Sequence, residues 1–239
     1  LVNSATYKQT SLINNEIDQD PTNKWISRQA RLRLDAELIR DVALNASGLL
    51  SPKMGGPGVF PPQPEGCMDL GQHRKTWSAS NGEDRYRRAV YTYRWRNTPH
   101  PALTVFDAPD GLSACTRRIR SNTPLQALTM MNDPAFIEIA MSLSKRLITE
   151  ASSTSERIRL GFQLCLNRNP NLEELHILTK LVEQQSKEFT EHTNESNALV
   201  EKATAIGQIP QITDNKAEFS AWTMVARILL NLDETITRE

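Results

Sequence analysis

Apolar residues recur at three- and four-residue spacing in several segments, the period of helices with one buried face. Residues 36–47 carry Leu38, Ile39, Val42, Ala43 and Ala46 on one side. Asp35 stands at the N-cap position, Glu37 suits the positive helix end, and Gly48 can close the C-terminus. Thr123-Pro124 pairs a capping residue with proline at the first helical position, and a short helix follows through Leu125, Leu128 and Met131. Asn132-Asp-Pro134 stops that helix and starts another, with Phe136, Ile139, Ala140, Leu143 and Leu147 in one stripe. Ile158, Phe162, Cys165 and Leu166 form the next stripe. Asn171 and Glu174 have capping-box spacing ahead of Leu172, Leu175, Leu178 and Val182. A last stripe runs through Phe219, Trp222, Val225, Ala226, Leu229 and Leu232. All of these read as core faces. The stretch 186–216 is polar, a solvated helix extension or an excursion between packed helices, and residues 1–24 read as an entry arm.

Proline and glycine interrupt this pattern in the middle of the chain. Ten of 13 prolines lie in 52–134 and eight of 10 glycines in 48–111. The expected fold is therefore mainly α. It is one helix-rich domain over 25–239 with a loop-rich, basic middle at 51–122 and at most a small β element near 88–106. Val90 to Arg96 alternates at period 2, which predicts a strand with Tyr91, Tyr93 and Trp95 on one face. Ser51 to Gly66 cannot hold a regular helix. Its glycines permit an anion cradle, but no P-loop or GxGxxG spacing is present, and a crossover loop anchored by Phe60 is the simpler reading.

Charge sharpens the division. Lys+Arg and Asp+Glu both number 28, so the chain as a whole is not built to coat nucleic acid. Yet residues 74–120 hold ten bases and four acids, whereas 121–239 hold eleven bases and sixteen acids. No apolar run is long enough for a transmembrane helix. Cys67, Cys115 and Cys165 are widely spaced, without CxxC or CxxCH, and His73, His100, His176 and His192 show no ligand spacing. No metal, haem attachment or disulfide is expected in this chain, and Cys165 reads as a core residue. The candidate polar or anion site is Arg85, Arg87, Arg88, Asp107, Asp110, Arg117 and Arg118, with Tyr91, Tyr93 and Trp95 as candidate stacking residues. The two aspartates lie in one Pro-containing turn, Phe106-Asp-Ala-Pro-Asp-Gly111, and the forked guanidinium suits carboxylates and other anions.

Several motifs occur together in a recognisable order. They are Arg33-Leu-Asp-Ala-Glu-Leu-Ile-Arg-Asp41, Lys53-Met-Gly-Gly-Pro57, Tyr86-Arg-Arg with Tyr91, Phe106-Asp-Ala-Pro-Asp110, Thr123-Pro-Leu-Gln-Ala-Leu128, Asn132-Asp-Pro134 and Ala226-Arg-Ile-Leu-Leu-Asn-Leu-Asp-Glu234. Over residues 25–239 the chain resembles the planctomycete-specific domain of unknown function 1553. The resemblance implies an exported, extracytoplasmic bacterial protein of several domains, often with a cytochrome c module upstream. Haem c would then belong to that separate module, and the resemblance supplies no catalytic residues. It also implies that this chain continues an upstream region and that Thr235-Ile-Thr-Arg-Glu239 is a natural end.

Two functions fit these observations. One is an interaction or scaffolding module whose partners are the upstream domains. The other is an extracytoplasmic domain that binds or processes anionic polysaccharide through the central arginines and aromatics; nucleic acid fits poorly. An exposed apolar face favours the first. A pocket gathering Asp107, Asp110 and several arginines favours the second.

Overall fold

A computed structural model describes residues 1–5, 7–11, 20–70, 76–206 and 215–238. The fold is mainly α. Its helices are α1 (Ala36–Ser47), α2 (Pro101–Val105), α3 (Pro124–Asn132), α4 (Pro134–Glu150), α5 (Thr154–Leu166), α6 (Leu172–Glu191), α7 (Thr193–Ile206), α8 (Lys216–Asn231) and α9 (Asp233–Ile236). Among the described residues the only sheet is a two-stranded antiparallel pair, β1 (Leu32–Arg33) with β2 (Thr237–Arg238). The Leu34 N–H donates to the Ile236 carbonyl at 2.8 Å and continues that clasp.

The α4–α8 contact is the most extensive in the fold; α8 also packs on α6, and α1 on α4. Ile39, Leu44, Ile139, Leu143, Leu147, Ile158, Phe162, Trp222 and Leu229 make one core at 2% exposure or less. A smaller cluster of Met141, Val200, Ala203 and Phe219 attaches α7. Chain punctuation places the helix ends as the sequence predicts. The Ala135 N–H donates to Asp133 Oδ1 at 2.8 Å, and the Glu174 N–H to Asn171 Oδ1 at 2.8 Å. Ser153 and Glu156 make the corresponding box at the start of α5. The polar stretch 186–206 divides between the end of α6 and α7; residues 207–214 lie outside the described set.

Four expectations change. The alternating segment Val90–Arg96 is not a strand. A 3-10 turn occupies Ala89–Tyr91, followed by isolated bridges at Thr92 and Trp95. The Tyr91 and Thr92 N–H groups bond locally to the Arg88 and Ala89 carbonyls, both at 2.9 Å. Their neighbour in space, the segment from Pro52 to Pro64, carries five prolines, and the pairing with it is limited to Val59, whose N–H donates to the Tyr91 carbonyl at 2.8 Å and whose carbonyl accepts the Tyr93 N–H at 2.7 Å among the described residues. The sheet instead joins β1 to β2, outside 88–106. Asp35 sits at the N-cap but makes no side-chain cap bond; its carboxylate takes Arg120 at 3.2 Å. Finally, some stripe positions are not core. Leu38 is 38% exposed, Leu172 87%, and α3 turns Leu125 and Leu128 outward while burying Gln126 and Met130.

Gly48 closes α1 in the left-handed region at φ 78°. A Cβ there would meet only the Arg146 side chain, at 3.8 and 4.0 Å, so conformation alone sets the cost of adding one. Gly48→Ala should lower unfolding free energy by ~1–2 kcal/mol in a urea titration. Gly48→Asn should recover most of that loss, because asparagine visits the left-handed region readily.

Candidate functional site

The irregular middle is held by a chain of buried polar groups that begins on α1. Arg40 is 6% exposed and donates from Nη1 to the Arg87 carbonyl at 2.7 Å and from Nη2 to the Arg85 carbonyl at 2.9 Å. Burial lowers its pKa to about 10, so it stays charged at neutral pH, with Asp41 and Glu138 nearby in support. The next residue, Asp41, accepts the Ala89 N–H at 2.7 Å, and Arg88 Nε lies 3.5 Å from its other oxygen. Burial pushes the Asp41 pKa up, against the hydrogen bond from Ala89 and the charges of Arg40 and Arg88.

Arg85 and Tyr86 reach the opposite wall. Arg85 donates from Nε and Nη2 to the two oxygens of Glu138 on α4, each at 2.8 Å, and the Tyr86 hydroxyl donates to Glu138 Oε1. Burial, then the bond to Glu138, raises the Tyr86 pKa. Arg87 is 1% exposed and turns into the Gly-rich loop. Its guanidinium donates to the carbonyls of Pro57 (3.1 Å), Lys53 (3.5 Å) and Gly55, and lies 3.9 Å over the Tyr91 ring. Gly55 and Gly56 adopt φ of 72° and 86°, which lets the loop curl round the cation. The Tyr91 hydroxyl accepts the Gly55 N–H at 2.8 Å. The loop thus aims carbonyls at an internal arginine. This is a crossover loop rather than an amide cradle for an anion.

The two aspartates of the Pro-containing turn do not join these arginines. Asp107 takes a positive φ of 62° and accepts from the Ser121 N–H and hydroxyl, both at 2.7 Å, and from Gln126 at 3.5 Å. Asp110 accepts the Leu112 N–H at 2.9 Å. Both act as turn caps. The arginine that does hold this turn is Arg94, donating to the Pro109 carbonyl. Arg118 pairs with Glu37 at 2.6 Å, and among the described residues no carboxylate pairs with Arg117. Tyr93 stacks on Phe60 with ring centroids at 4.9 Å; Trp95 meets Tyr93 edge-on at 5.1 Å, and Trp77 meets Phe60 at 5.1 Å. The structure therefore joins Arg85, Arg87, Arg88 and Tyr91 in one network. It puts Tyr93 and Trp95 in an aromatic ladder and leaves Asp107, Asp110, Arg117 and Arg118 elsewhere.

Three residues of this architecture escaped sequence reasoning, each with a visible signal. Arg40 is a charge on the buried face of α1. Glu138 is an acid set between Ile137 and Ile139 in an apolar stretch. Trp77, whose Nε1–H donates to the Pro61 carbonyl at 2.7 Å, follows the prolines it packs on.

One concavity borders the network at Arg85, and another lies apart from it between α2 and α3. A cleft of about 570 Å³ is lined by Cys67, Asp69, Trp77, Arg85, Pro134 and Lys202. The Cys67 thiol is held protonated by burial and by the Asp133 charge, so it is no ready nucleophile. A second, mainly apolar groove of about 300 Å³ runs between α2 and α3, lined by Pro64, Pro101, Val105, Leu125 and Leu128. Among the described residues no group of three or more His, Cys, Asp or Glu could hold a metal, and no helix is long and apolar enough to cross a membrane.

A sequence model of PSD1, described as a protein of unknown function (DUF1553), matches residues 1–182. The chain belongs to the DUF1553 family. No curated protein and no solved structure matches it. The DUF1553 match contains the whole Arg40–Arg85–Arg87–Glu138 network and ends within α6, so the motif at Ala226–Glu234 lies outside it.

Opposite charge burial in this DUF1553 chain gives two pH effects. Burial pushes the Asp133 pKa up to about 6. Below that value the folded carboxyl keeps a proton that the unfolded chain releases above about 3.8, so its contribution is full in acid and lost as pH rises through 6. His100 donates Nε2–H to the Pro62 carbonyl at 3.0 Å, and burial pulls its pKa down to about 4 from an ordinary 6.5. Its contribution is present above 6.5 and lost as pH falls through 4. The two slopes oppose one another between pH 4 and 6. In urea titrations Asp133→Asn should leave stability falling toward acid, and His100→Gln should leave it falling toward neutral, each by up to roughly 3 kcal/mol. Identical pH profiles for both variants would contradict this assignment.

The ion pairs should separate by burial. Glu138 is 3% exposed at its side chain, and Glu138→Ala should cost ~3–5 kcal/mol because Arg85 is left uncompensated. Arg118 is 37% exposed, and Arg118→Ala should cost only ~0–1 kcal/mol.

Proposed function

We propose that this chain is an interaction module of an exported multidomain bacterial protein, and that it docks the other domains of that protein through the α2–α3 groove. The observation that carries this reading is the orientation of α3. Leu125 and Leu128 are each 57% exposed while Gln126, between them, is 1% exposed. Hydrophobic burial alone favours the reverse. Gln126 is locked inward by donating to the Val105 carbonyl at 3.0 Å and the Ser121 hydroxyl at 3.1 Å, and its Oε1 accepts the Thr123 N–H at 3.4 Å. The two leucines are therefore presented by a built polar lock, beside Pro64, Pro101 and Val105. An apolar groove held open in this way suits the side chains of a partner surface.

Anionic polysaccharide binding draws less support. Arg85 and Arg87 direct their N–H groups at protein oxygens, and one face of Tyr93 is covered by Phe60. The test is docking in trans with the separately expressed upstream segment of the same protein, read by calorimetry. The parent should bind. Leu128→Asp should weaken binding about tenfold or more without shifting the melting temperature, since the residue is solvent-exposed. A parent that ignores the upstream segment, or a Leu128→Asp variant that binds it as well as the parent does, would overturn the reading.

A further inference from the structure

The segment that leads into α3 has an unusual composition. From Gly111 to Asn132 there is no acid and no aromatic ring, while Arg117, Arg118 and Arg120 fall within four residues. Every residue from 111 to 120 is exposed, including Leu112 at 63% and Ile119 at 75%. Along this strip the Leu112 and Ser121 N–H groups bond to Asp110 and Asp107. No backbone N–H of residues 113–120 donates to a described residue. A groove of about 780 Å³ lies along it, lined by Leu32, Arg117, Arg118, Ile119 and Arg120, and Leu32 is itself 48% exposed.

These properties define a partner. The amides of such an irregular strip can donate to the carbonyls of an extended chain laid along it. Guanidiniums attract carboxylates, and the strip itself holds no acid. Arg118 pairs with both Glu37 oxygens and lies near Asp35, and Arg120 pairs with Asp35, in partly exposed pairs weak enough to exchange; Arg117 has no carboxylate partner among the described residues. Ile119 and Leu32 add apolar contact, which a peptide side chain can fill. Sugars and unpaired bases would need rings to stack upon, and the strip has none. We propose that residues 112–120, with Leu32, form a docking strip for an acidic extended segment of a partner protein that also carries aliphatic side chains. The proposal rests on the interaction-module reading and names the chemistry of what is bound.

The probe is a short fluorescein-labelled peptide alternating glutamate and leucine, followed by anisotropy on the whole chain. Binding should saturate at low ionic strength and weaken as salt rises. Arg117→Ala and Ile119→Ser, both at exposed positions, should each weaken it about tenfold, and a polyglutamate peptide should bind about tenfold less tightly than the alternating one. Leu128→Asp should leave peptide binding unchanged, which separates this strip from the α2–α3 groove. The proposal falls if the peptide does not saturate, if both strip variants bind as the parent does, or if polyglutamate or phosphatidylglycerol vesicles displace the peptide from the strip more effectively than unlabelled peptide does. Failure here with docking of the upstream segment intact would remove the strip and leave the module reading standing.

Discussion

A buried guanidinium on the first long helix is the constraint on which the rest of this structure depends. Arg40 carries its charge into a nearly water-free position, and that is tolerable only if both of its forked N–H arms find oxygen. They find the carbonyls of Arg85 and Arg87, residues from a segment with little regular secondary structure. That requirement fixes the segment's path. With the backbone of 85–89 pinned to α1, the Arg85 side chain reaches Glu138 on α4, and the Arg87 side chain reaches the Gly-rich loop. One helical residue thereby ties residues 85–87 to α1 and, through Arg87, the loop at 53–57 as well.

Arginine plays the same part elsewhere in the fold. Arg146 donates to the Ala46 carbonyl at the end of α1, Arg227 to the Met131 carbonyl near the end of α3, and Arg157 to the Ala151 carbonyl just past α4. Arg94 does so for the turn at Pro109. Helix C-termini and proline-rich loops share one deficiency, carbonyls without N–H partners, and the forked cation of a neighbouring element meets it. The basic excess of the middle is therefore largely structural. Its arginines at 85, 87 and 94 point inward to protein oxygens, whereas Arg117, Arg118 and Arg120 lie on the exposed strip before α3.

Helix positions were legible because caps and periodicity are local. Asp133-Pro134, Asn171 with Glu174, and Gly48 mark their boundaries without reference to the rest of the chain. The middle was not, because its order comes from contacts such as Arg40 to Arg87, which join residues 47 positions apart. Period-2 alternation at 90–96 looked like a strand, yet a strand needs a neighbour with free N–H groups, and prolines occupy the adjacent segment. The α3 stripe misled for a related reason: a polar lock through Gln126 outweighs two leucines, and its partners, Val105 and Ser121, come from outside the helix. Of the candidate site, the arginines were visible as a cluster, but which oxygens they serve was not. Asp107 and Asp110 were near in sequence to the right bases and are satisfied instead by Ser121 and Leu112.

The most direct measurement is hydrogen exchange by mass spectrometry on the parent and on Arg40→Met, which keeps an unbranched side chain in place and removes the two donated bonds. If Arg40 ties the middle of the chain to α1, peptides covering residues 51–60 and 85–93 should lose their protection in the variant while peptides from α4 and α8 keep theirs. If residues 51–60 and 85–93 remain as protected in Arg40→Met as in the parent, the middle of the chain is ordered by something other than this guanidinium, and the account is wrong.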